Sequence, residues 1–433
     1  MGERQRISPS QRGGSGTVSP AEKGRARAVA LDHLRDHVNR GHSRIASLLG
    51  LPLEVRSSGA LVYDEEDTAY LDCGGYGVFL LGHRHPDVVD AVTAQLGRHP
   101  LPTRALIEPN VASAAQALTS VAPAGLQYAF FVNSGTESVE LAIKLARANG
   151  CRRVIAAEGG FHGKTLGALS ATGNNRYRAG LEPLLPGVEF VPFGDAEALK
   201  AALASDATRA CVLLEPVQAE GGVRLPPTGY LRQVRELCDE FHALLAMDEI
   251  QSGLGRLGSW WGCDEEDVRP DVLTTGKVLS GGVVPVAATL ATPEVYEVLN
   301  QDPLLHSSTY GGNPLAAVAA ATTIDVLRRD RLVEQARTLG GRLLPQITDA
   351  LAAAGPTLIR EVRGRGLLIG IEFTSEAPAG LFLTHMLRER VLTSYTLNAS
   401  RVIRLTPPAI LEPDHVCWLL QSLERSAVAL AGG

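Results

Sequence analysis

Lysine is scarce in this chain, with five copies among 41 basic residues, and one of them occupies a telling place. Lys277 lies in Thr274-Thr275-Gly276-Lys277-Val278-Leu279-Ser280-Gly281-Gly282, directly after Pro270-Asp271-Val272-Leu273, which reads as a short strand. An arginine-rich chain that keeps a lysine between glycines at a strand end points to a need for an amine. A guanidinium does not deprotonate in proteins and cannot form an imine. The chemistry this suggests is a Schiff base. Taken alone, a Gly-Lys step is more commonly a solvated loop lysine.

Other strand ends change that balance, because parallel sheets bind ligands outside the carboxyl ends of their strands. Asn133-Ser134-Gly135-Thr136-Glu137-Ser138-Val139-Glu140 follows the apolar run Tyr128-Ala129-Phe130-Phe131-Val132. Ser134 with Glu137 fits a capping box, and the free N–H groups at a helix start favour an anion such as phosphate. A well-capped helix with no ligand satisfies the same pattern. Met247-Asp248-Glu249-Ile250-Gln251-Ser252-Gly253 closes a second strand. A buried acid there needs a partner; a protonated pyridine nitrogen would serve, with Gln251 reaching a neighbouring ring oxygen, as would an ordinary surface salt bridge. Gly159-Gly160-Phe161-His162-Gly163-Lys164-Thr165 offers a phenyl ring between glycines that could lie on a planar ligand or pack as plain core. Glu215-Pro216-Val217-Gln218-Ala219-Glu220-Gly221-Gly222 brings two carboxylates, and Glu220 could neutralise a substrate-site arginine.

Gly253-Leu254-Gly255-Arg256-Leu257-Gly258 satisfies G-x-G-x-x-G but follows Asp248 and Glu249, which would repel a pyrophosphate. The Ser259-Trp260-Trp261-Gly262 after it makes no convincing helix, so the dinucleotide reading is rejected.

The elements that must hold these loops alternate. After the Tyr128 strand comes a helix from about 136 to 147. Further strands are expected at Arg153-Val154-Ile155-Ala156, Ala210-Cys211-Val212-Leu213-Leu214 and Leu244-Leu245-Ala246-Met247, with a helix over 230–243 feeding the last. This is an α/β pattern with a largely parallel sheet covered on both faces. A long helical stretch is expected from Pro314 to near Gly340, and a final amphipathic helix from about Glu412. The expected organisation is a disordered tail over 1–25, a large domain over 91–329, and a smaller α+β domain built from 26–90 and 330–433.

With 433 residues, 45% hydrophobic and 20% charged, the chain is ordinary globular material of two-domain size. A net charge of -6 gives no footprint for nucleic acid or an anionic membrane, so the expected partner is a small molecule. No signal segment or membrane span is visible, and a cytoplasmic location is expected. Six cysteines without a C-x-x-C pair read as small buried hydrophobes, and His83-Arg84-His85 lacks a third ligand, so no metal is expected.

Taken in order, these motifs resemble the class III, ornithine and ω-amine type, pyridoxal-phosphate aminotransferases of fold type I. The similarity runs from about Val62 to Pro408 and includes Gly82-His83-Arg84-His85-Pro86 and Ser308-Thr309-Tyr310-Gly311-Gly312-Asn313-Pro314. The resemblance implies pyridoxal 5'-phosphate on Lys277, with Asp248 keeping its ring nitrogen protonated. Lys277 and Asp248 are then the catalytic pair. Ser134, Gly135 and Thr136 would form the phosphate cup, Phe161 the stacking ring, and Gln251 the partner of the ring hydroxyl. His162 and Glu215 belong with the same cofactor site. Thr309 would reach the phosphate in the neighbouring subunit, implying a homodimer with shared active sites. Arg404 in Val402-Ile403-Arg404-Leu405 would grip a carboxylate, masked otherwise by Glu220.

Within the class, Asp72 to Phe79, Leu184 to Gly194 and Thr396-Leu397-Asn398 are most similar to putrescine (diamine) aminotransferases, and Tyr76 and Phe79 are expected at the donor-facing wall. Near Leu61-Val62 the chain lacks the aromatic residue of ornithine enzymes. The expected activity is ping-pong transfer from a primary amine, putrescine-like or an ω-amino acid, to a keto acid such as 2-oxoglutarate. Acetylornithine, ornithine, 4-aminobutyrate or a specialised metabolite are alternative donors. A racemase, mutase or decarboxylase on the same fold, or a cofactor-free scaffold, are the other classes.

Overall fold

The computed structural model describes residues 20–352, 355 and 357–432. The chain divides into two compact units, one of residues 1–56 and 63–68, the other of residues 57–62 and 69–433. The first contains the helices Pro20–His33 and Arg40–Leu49 joined by a π-helical turn. Asn39 caps the second, accepting from the His42 N–H at 3.0 Å, and Gly50 ends it in the left-handed region. Of the expected disordered tail, residues 1–19 lie outside those described; residues 20–25 are helical.

The second unit holds a seven-stranded sheet ordered Tyr128–Val132, Ala287–Ala291, Val272–Thr275, Leu244–Asp248, Ala210–Leu214, Arg153–Ala157, Val188–Val191. Strand Ala287–Ala291 runs antiparallel to both neighbours, and the remaining pairs are parallel. The Val188 and Ala287 strands went unread in the sequence; both are short and sit between stronger signals.

The central strands are buried on both faces because their side chains alternate between two apolar layers. Ile155, Val212, Leu214, Leu245 and Met247 join one layer. Val154, Cys211, Leu213, Leu244 and Ala246 join the other, against Val139, Leu141 and Leu145 of the helix Gly135–Ala148. Each fully buried aliphatic side chain stabilises by about 1.5–3 kcal/mol.

Register then brings the reactive strand ends level. Met247 pairs with Leu214 and with Leu273, and Asp248 with Thr274, so Glu215, Asp248 and Lys277 emerge from three adjacent strands at one edge. A second, antiparallel sheet runs Ile359–Arg365, Leu368–Phe373, Val402–Leu405, Ser394–Tyr395, and places Arg404 opposite Gly370. Segments from both chain ends meet where Val391 pairs in parallel with Leu71.

The helix expected from 314 to 340 is in fact two, Pro314–Arg329 and Leu332–Leu351, broken where Arg331 takes φ 53°. The helix expected over 230–243 stops at Glu240, and His242 at φ 52° turns the chain into the next strand. Cys73, Cys151, Cys211, Cys238 and Cys263 are buried as expected, whereas Cys417, on the helix Pro413–Ala431, is exposed. Among the described residues no helix is long and apolar enough to cross a membrane, and no cluster of ligating side chains could hold a metal. His83 instead binds Asp72, Nε2 to Oδ2 at 2.8 Å.

Candidate active site

The three strand ends open onto a cavity of about 330 Å³. Gly135, Thr136, Phe161, His162, Glu215, Glu220, Asp248, Gln251 and Lys277 line it, which brings nine of the expected site residues together.

Lys277 opens a one-turn 3-10 helix, Lys277–Ser280, after the extended Gly276. Its own φ of 42° lies in the left-handed region, a conformation unfavourable for any residue with a Cβ and held here by the surrounding packing. Burial lowers the pKa of its amine from the ordinary lysine value; Glu220 opposes that and Arg404 adds to it. An amine so placed reaches its nucleophilic neutral form more readily than a solvated lysine.

Asp248 ends its strand 4% exposed. One oxygen faces His162 Nδ1 at 2.7 Å, and the other accepts the Ile250 N–H at 3.1 Å. Burial presses the His162 pKa down, but the Asp248 carboxylate outweighs it and the net shift is upward. Glu215 stands nearby, its carboxyl pushed up to about 7 by burial. It accepts the backbone N–H of Phe161 at 2.9 Å and of Ala219 at 3.2 Å, so it fixes the loop that carries the Phe161 ring.

Gln251 is buried, lines the cavity, and neither of its amide atoms has a hydrogen-bond partner among the described residues. An unpartnered buried amide is costly, about 1–3 kcal/mol, unless a ligand completes it. Gly77, at φ 73°, lies behind it so closely that a Cβ there would fall 2.2 Å from Gln251 Nε2.

The helix Gly135–Ala148 aims its N-terminus at the cavity. Ser134 accepts the Glu137 N–H at 3.4 Å, while Glu137 accepts Asn133 N–H at 2.6 Å and Ser134 N–H at 3.2 Å, the expected capping box. Ser134 is thereby committed to the cap and does not line the cavity. Gly135 and Thr136 present the helix start to it, and a Cβ on Gly135 would meet Ile250 at 2.9 Å.

Arg404 and Glu220 form a buried pair, Nη1 to Oε1 at 2.5 Å, and are 1% and 7% exposed. The second Glu220 oxygen accepts the Leu397 N–H at 2.8 Å, and Arg404 Nε has no partner among the described residues.

Residues 50–427 match the family model for class-III aminotransferases. The chain belongs to that family. Among solved structures this aminotransferase is similar to the ornithine aminotransferase of Toxoplasma gondii at 29% identity and TM-score 0.84, covering 94% of this chain and 98% of that one. The acetylornithine aminotransferase of Elizabethkingia anophelis matches at 31% identity and TM-score 0.76, covering 87% and 94%. A transaminase from the marine bacterium Virgibacillus matches at 25% and 0.82, covering 88% and 94%. The chain is therefore a fold type I transferase dependent on pyridoxal phosphate; the Toxoplasma structure carries that cofactor at partial occupancy in its active site.

The residues present fit the cofactor. The unpartnered Gln251 amide suits a ring hydroxyl, the buried Asp248 carboxylate a protonated ring nitrogen, and the helix start at Gly135 and Thr136 a phosphate.

Besides Ser134, four expected residues stand apart from the cavity. Thr309 is exposed in the 302–313 loop, where Arg104 Nη2 donates to its carbonyl at 3.0 Å. Tyr76 is 78% exposed at φ 51°. Phe79 stacks on His83, ring centroids 3.7 Å apart, and does not face the cavity. Arg404 reaches the cavity through Glu220.

Sequence reading passed over Lys164, although it sits inside the Phe161-His162-Gly163-Lys164-Thr165 motif. It lines the cavity, with Nζ 4.6 Å from the Tyr177 ring centre. The G-x-G-x-x-G run is a turn, not a helix start. It buries Arg256, which donates to the carbonyls of Pro407 at 2.7 Å and Gly77 at 3.2 Å, and whose pKa burial pushes down to about 9.

Proposed function

We propose that this aminotransferase carries an amino group from a primary amine, a putrescine-like diamine or an ω-amino acid, to a keto acid such as 2-oxoglutarate by a ping-pong mechanism. Bound pyridoxal phosphate would supply an electron sink for charge at the donor carbon. Lys277 would hold it covalently and, once displaced by the donor amine, carry the proton between donor carbon and cofactor as general base and acid. Asp248, oriented by His162, would keep the ring nitrogen protonated. Gln251 would hold the ring hydroxyl, and Phe161, backed by Glu215, would cover the ring face.

The observation that carries the substrate reading is the buried Arg404–Glu220 pair. With Glu220 on it, Arg404 is neutralised and the wall suits an uncharged carbon next to a donor amine. With Glu220 swung away, the guanidinium can grip an acceptor carboxylate in bidentate fashion. One cavity then serves both half-reactions. We further read the enzyme as a cytoplasmic homodimer, Thr309 completing the phosphate site of the neighbouring subunit, with 26–90 and 330–433 as a smaller domain around 91–329.

Lys164 supports a second reading. A cation lining the cavity suits a donor with a carboxylate, so ornithine, acetylornithine or 4-aminobutyrate follow the diamines.

Purified enzyme with 2-oxoglutarate, screened against diamines and ω-amino acids for glutamate release, decides between donors. Lys277→Ala should abolish turnover and the borohydride-stable attachment of the cofactor. Turnover without any keto acid would refute the aminotransfer reading in favour of racemase, mutase or decarboxylase chemistry.

A further inference from the structure

A second cavity, of about 520 Å³, lies on the antiparallel sheet, and arginines dominate its wall. Arg360 and Arg363 project from the strand Ile359–Arg365, Arg401 precedes the strand Val402–Leu405, and Arg224 comes from the loop after Glu220. Two carboxylates, Glu361 and Glu372, complete the charge, so four arginines less two glutamates leave +2.

The internal pairing is uneven. Glu372 is nearly buried and binds Arg363 at 2.5 Å, Arg401 at 2.9 Å and Arg360 at 3.5 Å. Arg363 also binds Glu361 at 2.7 Å and donates from Nε to the carbonyls of Gly222 and Val223, so its donors are satisfied within the protein. Arg360 and Arg401 share one oxygen of Glu372 and keep side-chain exposures of 63% and 46%. Arg224 is exposed and has no carboxylate within ion-pair distance among the described residues. Three arginines from three separate segments thus line one concavity with most of their donors free among the described residues, the Arg224 guanidinium also lying over the Phe193 ring, 6.0 Å from its centre.

We propose that this cavity is a binding site for a multivalent phosphate anion, of the diphosphate class, separate from the cofactor site. Guanidinium forks match phosphate oxygens in pairs, where an ammonium offers only a point charge. A monoanion is a poor fit, because the two glutamates repel it and physiological salt screens what remains. An anion bearing three or more negative charges spread over two phosphoryl groups can engage Arg224, Arg360 and Arg401 together while Glu372 keeps Arg363 in place.

The test is a calorimetric titration of the pyridoxal-phosphate-loaded enzyme with pyrophosphate at physiological salt, beside inorganic phosphate at matched ionic strength. Loading the cofactor beforehand keeps its phosphate cup out of the measurement. The expected result is saturable binding of one pyrophosphate per chain, at least about tenfold tighter than inorganic phosphate, a difference of roughly 1.4 kcal/mol. Arg224→Gln and Arg401→Gln should each weaken it severalfold while leaving transaminase turnover unchanged. No saturable binding, equal affinity for the two anions, or undiminished affinity in both variants would overturn the assignment. Because the readout is binding, it stands or falls independently of which amine is the donor.

Discussion

Glu220→Ala removes one half of a buried ion pair and leaves Arg404 behind with no other carboxylate in ion-pair range among the described residues. Unit charges about 4 Å apart attract with roughly 4 kcal/mol at an effective dielectric of about 20. Deleting one partner of a buried pair costs about 3–5 kcal/mol for the same reason, since the survivor stays desolvated. The Leu397 N–H, 2.8 Å from Glu220 Oε2, also loses its acceptor. The cofactor-loaded variant should therefore lose about 4 kcal/mol or more, read as a lower urea midpoint. Adding Arg404→Met should restore at least half of the loss, because it takes away the orphaned charge.

Glu220→Gln separates the functional arm from the structural one. Its amide oxygen still accepts from Leu397 or Arg404, so stability should fall by only about 1–3 kcal/mol. With no carboxylate competing for the guanidinium, the 2-oxoglutarate KM should drop about tenfold, or roughly 1.4 kcal/mol. The amine half-reaction should slow, its donor now facing a bare cation. If Glu220→Ala unfolds within about 1 kcal/mol of the wild type, or if Glu220→Gln raises the keto-acid KM, the gate reasoning is wrong.

Three further outcomes are expected. Gly77→Ala would drive a methyl against Gln251 and add strain at φ 73° of about 1–2 kcal/mol; equilibrium dialysis should show weaker retention of pyridoxal phosphate. Glu249 is buried, accepts the Cys263 N–H at 2.9 Å, and is pushed up to about 7 by burial from an ordinary value of 4.5. The native state thus holds a proton that the unfolded chain releases between pH 4.5 and 7, so its contribution to stability falls by about 3 kcal/mol as pH rises through that window. Glu249→Gln should remove that share of the slope in denaturation midpoints taken from pH 4.5 to 7, leaving the part due to Glu215, which burial also pushes up to about 7. Phe382, fully buried with its ring 5.1 Å from that of Phe373, should cost about 3–5 kcal/mol as Phe382→Ala, with the KM values unchanged.

The sequence exposed the cavity well because its strand ends are punctuated by polar and glycine-rich runs of distinct types. Asp248, Lys277 and Glu215 close or follow apolar strands, where a titratable side chain is conspicuous, whereas Arg404 is reached only through the resemblance to class III aminotransferases. What escaped reading depends on distant packing. The break at Arg331 carries no proline or glycine to mark its left-handed φ. Lys164 was hidden by its ordinariness within a motif read for its ring. Gly77 matters only because Gln251 lies behind it, a neighbour 174 positions away along the chain. Phe79 has the size of a pocket wall, but His83 takes its face.

The six thiols divide five to one between interior and surface. Burial raises the pKa of Cys73, Cys151, Cys211, Cys238 and Cys263, which keeps their reactive thiolates rare as well as hidden. Cys417 alone is left open to an alkylating dye, so these 433 residues carry one fluorophore anchor, on the helix Pro413–Ala431, with no cysteine to be engineered out before labelling.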